Sequence, residues 1–426
     1  MNEKVLIGNI LAEENETEEE VYPRYTRTKR NVLLNKDELS QLLARPTSAP
    51  AVHLHFPSIF WPETSQPIIS PISTDFNQIT LQDNYTIYTP PPPGLEPKTN
   101  LFSHLKGKIA EMAQDQTGSR YIQEKLELAS NDEKKAVFEE VLQNISKLMV
   151  DVFGNYVVQK LLDHLNEHEK HQIVQGMKGQ VVSLSLHMYG CRVVQKAIQV
   201  APPQLRNTVV QEFKDNVEKC VEDQNANHVI QKIIEVIPFG EFEFIVEALK
   251  KDIIKWSMHV YGCRVVQRIL GYCPKERVNE MISQIVRKSV QLSSSPYGNY
   301  VIQYLLDKGT YEERRRVAAS FPGNLVDLSR HKFASNVIEK ILLIGYEDDV
   351  RVFATEIFTH LRFMEVMTDK FGNFVVQKCL EVSSGDFQQW LISKVRENSK
   401  QLKSSASGRH VLKCLDKISK PKKTKK

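Results

Sequence analysis

The 426-residue chain is 41% hydrophobic and 25% charged, ordinary values that argue against global disorder and against a membrane protein, while the length exceeds what one simple core fills. Its 56 basic residues are nearly balanced by 52 acidic ones, a net charge of +4, so a polyanion partner has to be argued from charge placement and not from bulk excess. Six cysteines occur without a CxxC pair, which disfavours a zinc knuckle or redox dithiol and suits reduced thiols.

The first segment, MNEKVLIGNILAEENETEEE, has an apolar stretch that is short and runs straight into acids, unlike a secretion signal. A cytoplasmic location with nuclear access is therefore expected. Twelve of the 19 prolines lie within the first 97 residues, and residues 1–98 read as a mostly disordered, Pro-rich arm. Within it, Asn35–Ala44 (NKDELSQLLA) has the pattern of a short amphipathic helix with Asn35 as its cap.

Beyond the arm one short segment recurs eight times: SRYIQ at 119, NYVVQ at 155, CRVVQ at 191, NHVIQ at 227, CRVVQ at 263, NYVIQ at 299, SNVIE at 335 and NFVVQ at 373. Six intervals are 36 residues and the last is 38, the signature of a solenoid whose units bury their apolar faces against neighbours. Each copy follows a lead-in turn ending in Gly or Ala, such as DVFG before Asn155 or HKFA before Ser335. Numbering the first motif residue i, positions i+2, i+3 and i+7 are apolar in every copy, as in Val157, Val158 and Leu162. That spacing predicts a helix packed by this stripe, with i, i+1 and i+4 on another face lining one continuous surface. After residue 400, GRHVLKCL echoes the unit with Lys413 where Gln recurs, as expected of a terminal cap. Residues 99–416 thus form the array, and 417–426 form a basic tail.

The trio carries chemistry suited to bases. Gln recurs at i+4 as Gln123, Gln159, Gln195, Gln231, Gln267, Gln303 and Gln377, and its amide offers a donor and an acceptor side by side, matching either adenine or uracil. The residue at i has to decide between them. Asn155, Asn227, Asn299 and Asn373 can add an amide donor toward uracil O2, whereas Ser119, Cys191 and Cys263 leave room for a purine. The seventh unit pairs Ser335 with Glu339; a carboxylate only accepts, and guanine presents two adjacent donors. At i+1 stand Arg120, Tyr156, Arg192, His228, Arg264, Tyr300, Asn336 and Phe374, all but Asn336 good stacking platforms.

Over residues 100–416 the chain resembles the PUF (Pumilio) family, all eight triplets falling on that family's pattern at its spacing. The resemblance implies an all-α, right-handed solenoid, a crescent of eight three-helix repeats with terminal capping half-repeats. It also implies antiparallel binding of single-stranded mRNA with recognition of 5′-UGUAUAUA-3′, and control of translation or decay through protein effectors, by a monomer without cofactor. The sixth unit departs from the pattern, leading in through SSPYG where the others have an Asp or His turn, and the two additional residues before the eighth unit are expected near LIGYEDD at 343–349. In the family that loop meets protein partners, making Tyr346 a candidate contact.

Rival readings are a peptide-binding armadillo or HEAT-type scaffold, which predicts no alternation at i, and a PUF-like ribosome-assembly protein, which predicts degenerate triplets. His164, His168 and His171 have a spacing that could place three metal ligands on one helix face, but other units lack them and no metal site is expected. No GK[ST], GxGxxG, HExxH or GxSxG sequence occurs, so an enzyme is the least supported class.

Overall fold

The computed structural model describes the strands Val5–Ile7 and Val32–Leu34, Phe102, and residues 105–419. The chain divides into two units, Met1–Pro91 and Pro92–Lys426. In the first, the two strands pair antiparallel with Val5 opposite Leu34. The helix expected at Asn35–Ala44 and the tail beyond residue 419 lie outside the described residues.

The second unit is a stack of three-helix repeats, each built from a short helix, a motif helix and a third helix. In the second repeat these are Ile145–Leu148, Gly154–His164 and Glu167–Met177. In the third they are Val181–Leu186, Gly190–Val200 and Pro203–Gln211. Local chemistry sets the breaks. The motif helix ends where one residue turns extended, as Leu165 does at ψ 147°. In the first six repeats the third helix then begins with a capping box, Ser130/Glu133, Asn166/Glu169 or Thr310/Glu313, or with proline at or beside its start, as at Pro202. The short helices of the first, third and seventh repeats are started by a glutamate from their own third helix. Glu212, for example, accepts from the N–H of Gly179 at 2.7 Å and of Val181 at 3.1 Å, with Gly179 at φ +76°, a conformation that glycine adopts without strain.

Successive motif helices pack side by side from Gln116–Leu128 to Ala406–Ser419. Val157, Val158 and Leu162 are fully buried as their spacing predicts, and Leu161 at i+6 joins them. Each such side chain contributes roughly 1.5–3 kcal/mol of gross hydrophobic stabilisation. In the first repeat i+6 is Lys125, which lies over the Tyr121 ring instead. The lead-in glycines explain themselves here: a Cβ on Gly298 would sit 2.7 Å from the Leu292 carbonyl of its own short helix, closer than real contacts allow. After the eighth repeat, Ser399–Leu402 and Ala406–Ser419 form a half-repeat whose Val411 and Leu415 are buried.

One expectation changes, and one open spacing is settled. The additional residues before the eighth repeat are not at 343–349. The seventh motif helix starts at Ala334 and its third helix at Glu347, the same separation as Gly154 to Glu167. It is the next short helix, starting at Phe363, that is displaced. The third helix, Glu347–Thr359, has the 13 residues of Asn131–Gln143 in the first repeat, so the two residues lengthen the turn that follows it, where Leu361 is 100% exposed. Second, His164 ends a motif helix while His168 and His171 lie on the next helix, beyond the break at Leu165. They share no helix face, and among the described residues no group of metal-binding side chains assembles.

Candidate nucleic-acid interface

The motif helix is started by the side chain at i−4, which accepts hydrogen bonds from the N–H groups of i−2 and i−1. Asp151 Oδ1 takes those of Phe153 and Gly154 at 2.9 and 2.8 Å, and Asp223 and Asp369 do the same in the fourth and eighth repeats. Ser295 Oγ caps the sixth at 3.3 and 3.1 Å, so the SSPYG departure preserves the function. Two orphan donors are thereby satisfied just ahead of the trio.

Residue i forms the floor of the face: in all eight repeats it is buried, at most 3% exposed. The i+4 side chains are half-buried above it, and the i+1 side chains are exposed in the first four repeats and half-buried in the last four. The trio is thus graded from floor to rim. In repeats two, four, six and eight the asparagine amide is fully committed. Asn299 Nδ2 donates to the carbonyls of Ser295 and Pro296 at 2.8 and 3.0 Å, while its Oδ1 accepts from Gln303 Nε2 at 2.9 Å. Asn155, Asn227 and Asn373 repeat this with Gln159, Gln231 and Gln377, each couple again 2.9 Å. Two carbonyls can only face the nitrogen end of the asparagine, which fixes both amides without ambiguity. The glutamine oxygen is consequently the atom left to turn away from the floor. The uracil O2 donor expected of asparagine is therefore not presented by the unliganded geometry, because both Nδ2 hydrogens are already used.

Where i is small the glutamine is held differently. Gln123 and Gln195 donate to the backbone carbonyls of Ser119 and Cys191, each at 3.1 Å. Gln267 Nε2 is buried with no partner among the described residues, a donor that costs free energy until an acceptor arrives. Cys191 and Cys263 turn their thiols onto the carbonyls of Met188 and Val260. Burial pushes the Cys263 thiol up to about 11, so these cysteines act as small neutral groups.

Within the i+1 row the Arg264 guanidinium lies 4.9 Å over the Tyr300 ring of the next repeat. Although His228 keeps an accessible face, partial desolvation of its ring by the surrounding chain and the neighbouring Arg192 lower its basicity. Such a row offers parallel surfaces between which flat groups can insert.

The sequence pattern of the Pumilio-family RNA binding repeat matches eight segments, 108–142, 144–177, 180–213, 217–250, 252–286, 289–319, 324–358 and 362–396. The chain belongs to the Pumilio family. Its fold is similar to the Puf3 RNA binding domain bound to a Cox17 RNA 3′ UTR recognition sequence, at 33% identity and TM-score 0.68 over 74% of this chain and 96% of that one. PUF-8 in complex with PBE-RNA gives 33% identity and TM-score 0.70 over 76% and 96%. Puf4 bound to the HO endonuclease RNA 3′ UTR recognition sequence gives 28% and 0.65 over 72% and 98%. Among curated proteins, Pumilio homolog 3 of Arabidopsis thaliana is 49% identical over 47 residues, 11% of this chain and only 5% of that protein's length.

The Pumilio solenoid carries two further rows that the trio reading did not single out. One is the i−4 cap, visible in the sequence as the alternating Asp and His turns. The other is an ion-pair ladder joining i+5 of one repeat to i+8 of the preceding one: Lys160 to Glu127, Lys196 to Asp163 at 2.5 Å, Arg268 to Glu235 at 2.7 Å and Lys340 to Asp307 at 2.5 Å. Between the fifth and sixth repeats Tyr304 lies against Gly271 instead, and Lys232 and Lys378 of the fourth and eighth repeats pair within their own helices with Glu235 and Glu381. These pairs are partly exposed and individually worth little, but they hold the basic groups at fixed intervals along the face. Tyr346, for its part, packs at 4.6 Å against Tyr311 and below Arg315, 37% exposed and at the start of a third helix, away from the base-reading face of the trio.

Proposed function

We propose that this Pumilio-family protein reads single-stranded mRNA one base per repeat, antiparallel, with 5′-UGUAUAUA-3′ as its preferred element in 3′ untranslated regions. The observation that carries the reading is the alternation of floor chemistry. Asn–Gln couples occupy repeats two, four, six and eight, and small residues with Gln or Glu occupy the others. A couple whose outward atom is the glutamine oxygen accepts from uracil N3, and one exchanged Nδ2 or Nε2 hydrogen serves a uracil oxygen. A small floor with a glutamine admits adenine, and Ser335 with Glu339 accepts from guanine N1 and N2. Stacking on the i+1 row adds about 1–3 kcal/mol per base.

Bound RNA is then silenced, stabilised or destroyed in the cytoplasm through protein effectors, for which the outer edge at Tyr346 and Tyr311 is the candidate contact. A titration at one stated salt concentration, comparing RNA carrying UGUAUAUA with RNA in which UGU becomes ACA, tests the reading. Tighter binding of the first is expected, and equal affinities would overturn it.

A further inference from the structure

From the second repeat onward the cap at i−4 differs with the residue at i, the first repeat pairing an Asp115 cap with Ser119. Repeats two, four and eight are capped by Asp and the sixth by Ser, all ahead of Asn; the third, fifth and seventh are capped by His187, His259 and His331, all ahead of Cys or Ser. We infer that His259 and His331 are positioning residues for the bases read by the fifth and seventh repeats, and that they act only as neutral imidazoles, so acidification releases those two bases while the Asn-bearing repeats keep theirs. This deepens the base-per-repeat reading and rests on it.

The geometry fixes the protonation state that works. His259 Nδ1 accepts from Tyr261 N at 3.3 Å and Gly262 N at 3.1 Å, and His331 Nδ1 accepts from Phe333 N at 3.2 Å and Ala334 N at 3.3 Å. Two backbone donors converge on one nitrogen, which therefore carries a lone pair, the ring proton being on Nε2. An imidazolium has no acceptor at all. It would point an N–H at two N–H groups and add positive charge at the positive end of the helix. A carboxyl or hydroxyl cap keeps an acceptor oxygen, which an imidazolium does not.

The trio lies directly downstream. Cys263 follows the capped N–H of Gly262, and Ser335 that of Ala334; Arg264 and Gln267 belong to the next turn. A frayed start thus moves the floor residue and the stacking residue together. Around His259 stand the Trp256 and Tyr261 rings at 6.0 and 5.9 Å, Lys255 on its own short helix, and Glu222 on the preceding repeat. Burial, aided by Lys255, outweighs Glu222 and holds this imidazole below its ordinary range. His331 meets the Phe333 ring at 5.8 Å, and burial depresses it as well. Since both folded values lie below the unfolded one, the cap is complete above about pH 6.5. It is lost as pH falls through the depressed values.

The test compares the full chain with its His259→Asn/His331→Asn variant. Asn is an uncharged cap whose oxygen accepts the same N–H groups at any pH used. Affinities for UGUAUAUA RNA, its ACA counterpart and four RNAs each changed at one of the first four bases are measured at pH 7.5 and 5.0, at one salt concentration, with circular dichroism at both. At pH 7.5 both proteins discriminate the two RNAs; absence of discrimination there overturns the base reading itself. At pH 5.0 the unaltered protein loses roughly tenfold more affinity than the variant, the scale of losing a cap. Its penalties for changing the second or fourth base shrink, while those for the first and third persist. An identical pH dependence in the two proteins overturns the inference. If the Asn variant fails to fold, His259→Asp/His331→Asp, copying the caps of the second and fourth repeats, is read the same way.

Discussion

Converting the seventh repeat from its Ser335–Glu339 floor to the Asn–Gln couple of its neighbours isolates base reading from every other contribution. In the sixth repeat the couple needs two carbonyls at i−4 and i−3, a helix start that holds them, and a glutamine within 2.9 Å. The seventh offers the carbonyls of His331 and Lys332 on a helix capped in the same place, so Ser335→Asn/Glu339→Gln can form it. Each correct base over a wrong one is worth about 1–3 kcal/mol. Reversing a G preference into a U preference therefore swings the ratio of affinities by about 2–6 kcal/mol, at least about 30-fold. Removing the Glu339 charge strengthens binding to any RNA, but it affects both RNAs alike and cancels in the ratio. Fluorescence anisotropy with UGUAUAUA and UUUAUAUA measures it. The single change Glu339→Gln recreates the Ser119–Gln123 floor of the first repeat, and it should favour adenine at the second base. Retention of G by the double variant would refute the assignment of this repeat.

Two other perturbations address different rows. Tyr300→Ala removes one face of the Arg264–Tyr300 stack and should weaken RNA binding by about 1–3 kcal/mol whichever base stands opposite; a loss restricted to one base identity would argue that Tyr300 reads an edge. Gly271→Ala places a methyl group where the Tyr304 hydroxyl lies, and the half-buried ring has to move. A loss of about 1–3 kcal/mol in thermal or urea unfolding is expected, with no added loss when the same change is made in a Tyr304→Ala background, and additivity of the two changes would show that they do not touch.

The repeat period, the buried stripe and the trio positions were legible because each depends on local spacing alone. A 36-residue interval and apolar residues at i+2, i+3 and i+7 leave one way to bury the helix. What spacing cannot give is which hydrogens a side chain has already spent. Asn299 reads as an outward donor in the sequence, yet the carbonyls exposed by its own helix start claim both hydrogens. The two additional residues before the eighth repeat were misplaced for a related reason. Gly345 and Tyr346 look like an insertion, whereas every motif helix breaks at that offset, and the residues that lengthen the turn at 360–362 include no Gly or Pro to announce it. The break that separates His164 from His168 and His171 is marked by no Gly or Pro, and its sequence signal is the Asn166–Glu169 capping pair just beyond Leu165.

Burial of residue i bears on how selectivity arises. A solvent-facing asparagine would be free to offer either end of its amide, and its ordering would be charged to each binding event. Here the floor amide is oriented before any base arrives, and through the 2.9 Å couple it orients the half-buried glutamine above it. A wrong base then meets an acceptor that cannot turn, leaving desolvated polar groups unpaired on both sides, and such unpaired groups are the costly outcome. Repeats without the couple lack this lock: Gln267 keeps an unpartnered donor. Base substitutions opposite the second, fourth, sixth and eighth repeats should accordingly be penalised more than those opposite the third and fifth. A panel of single-base variants of UGUAUAUA, titrated at one salt concentration, measures that ranking directly. Equal penalties at the two sets of positions would show that the Asn–Gln couple is packing and not a reading device.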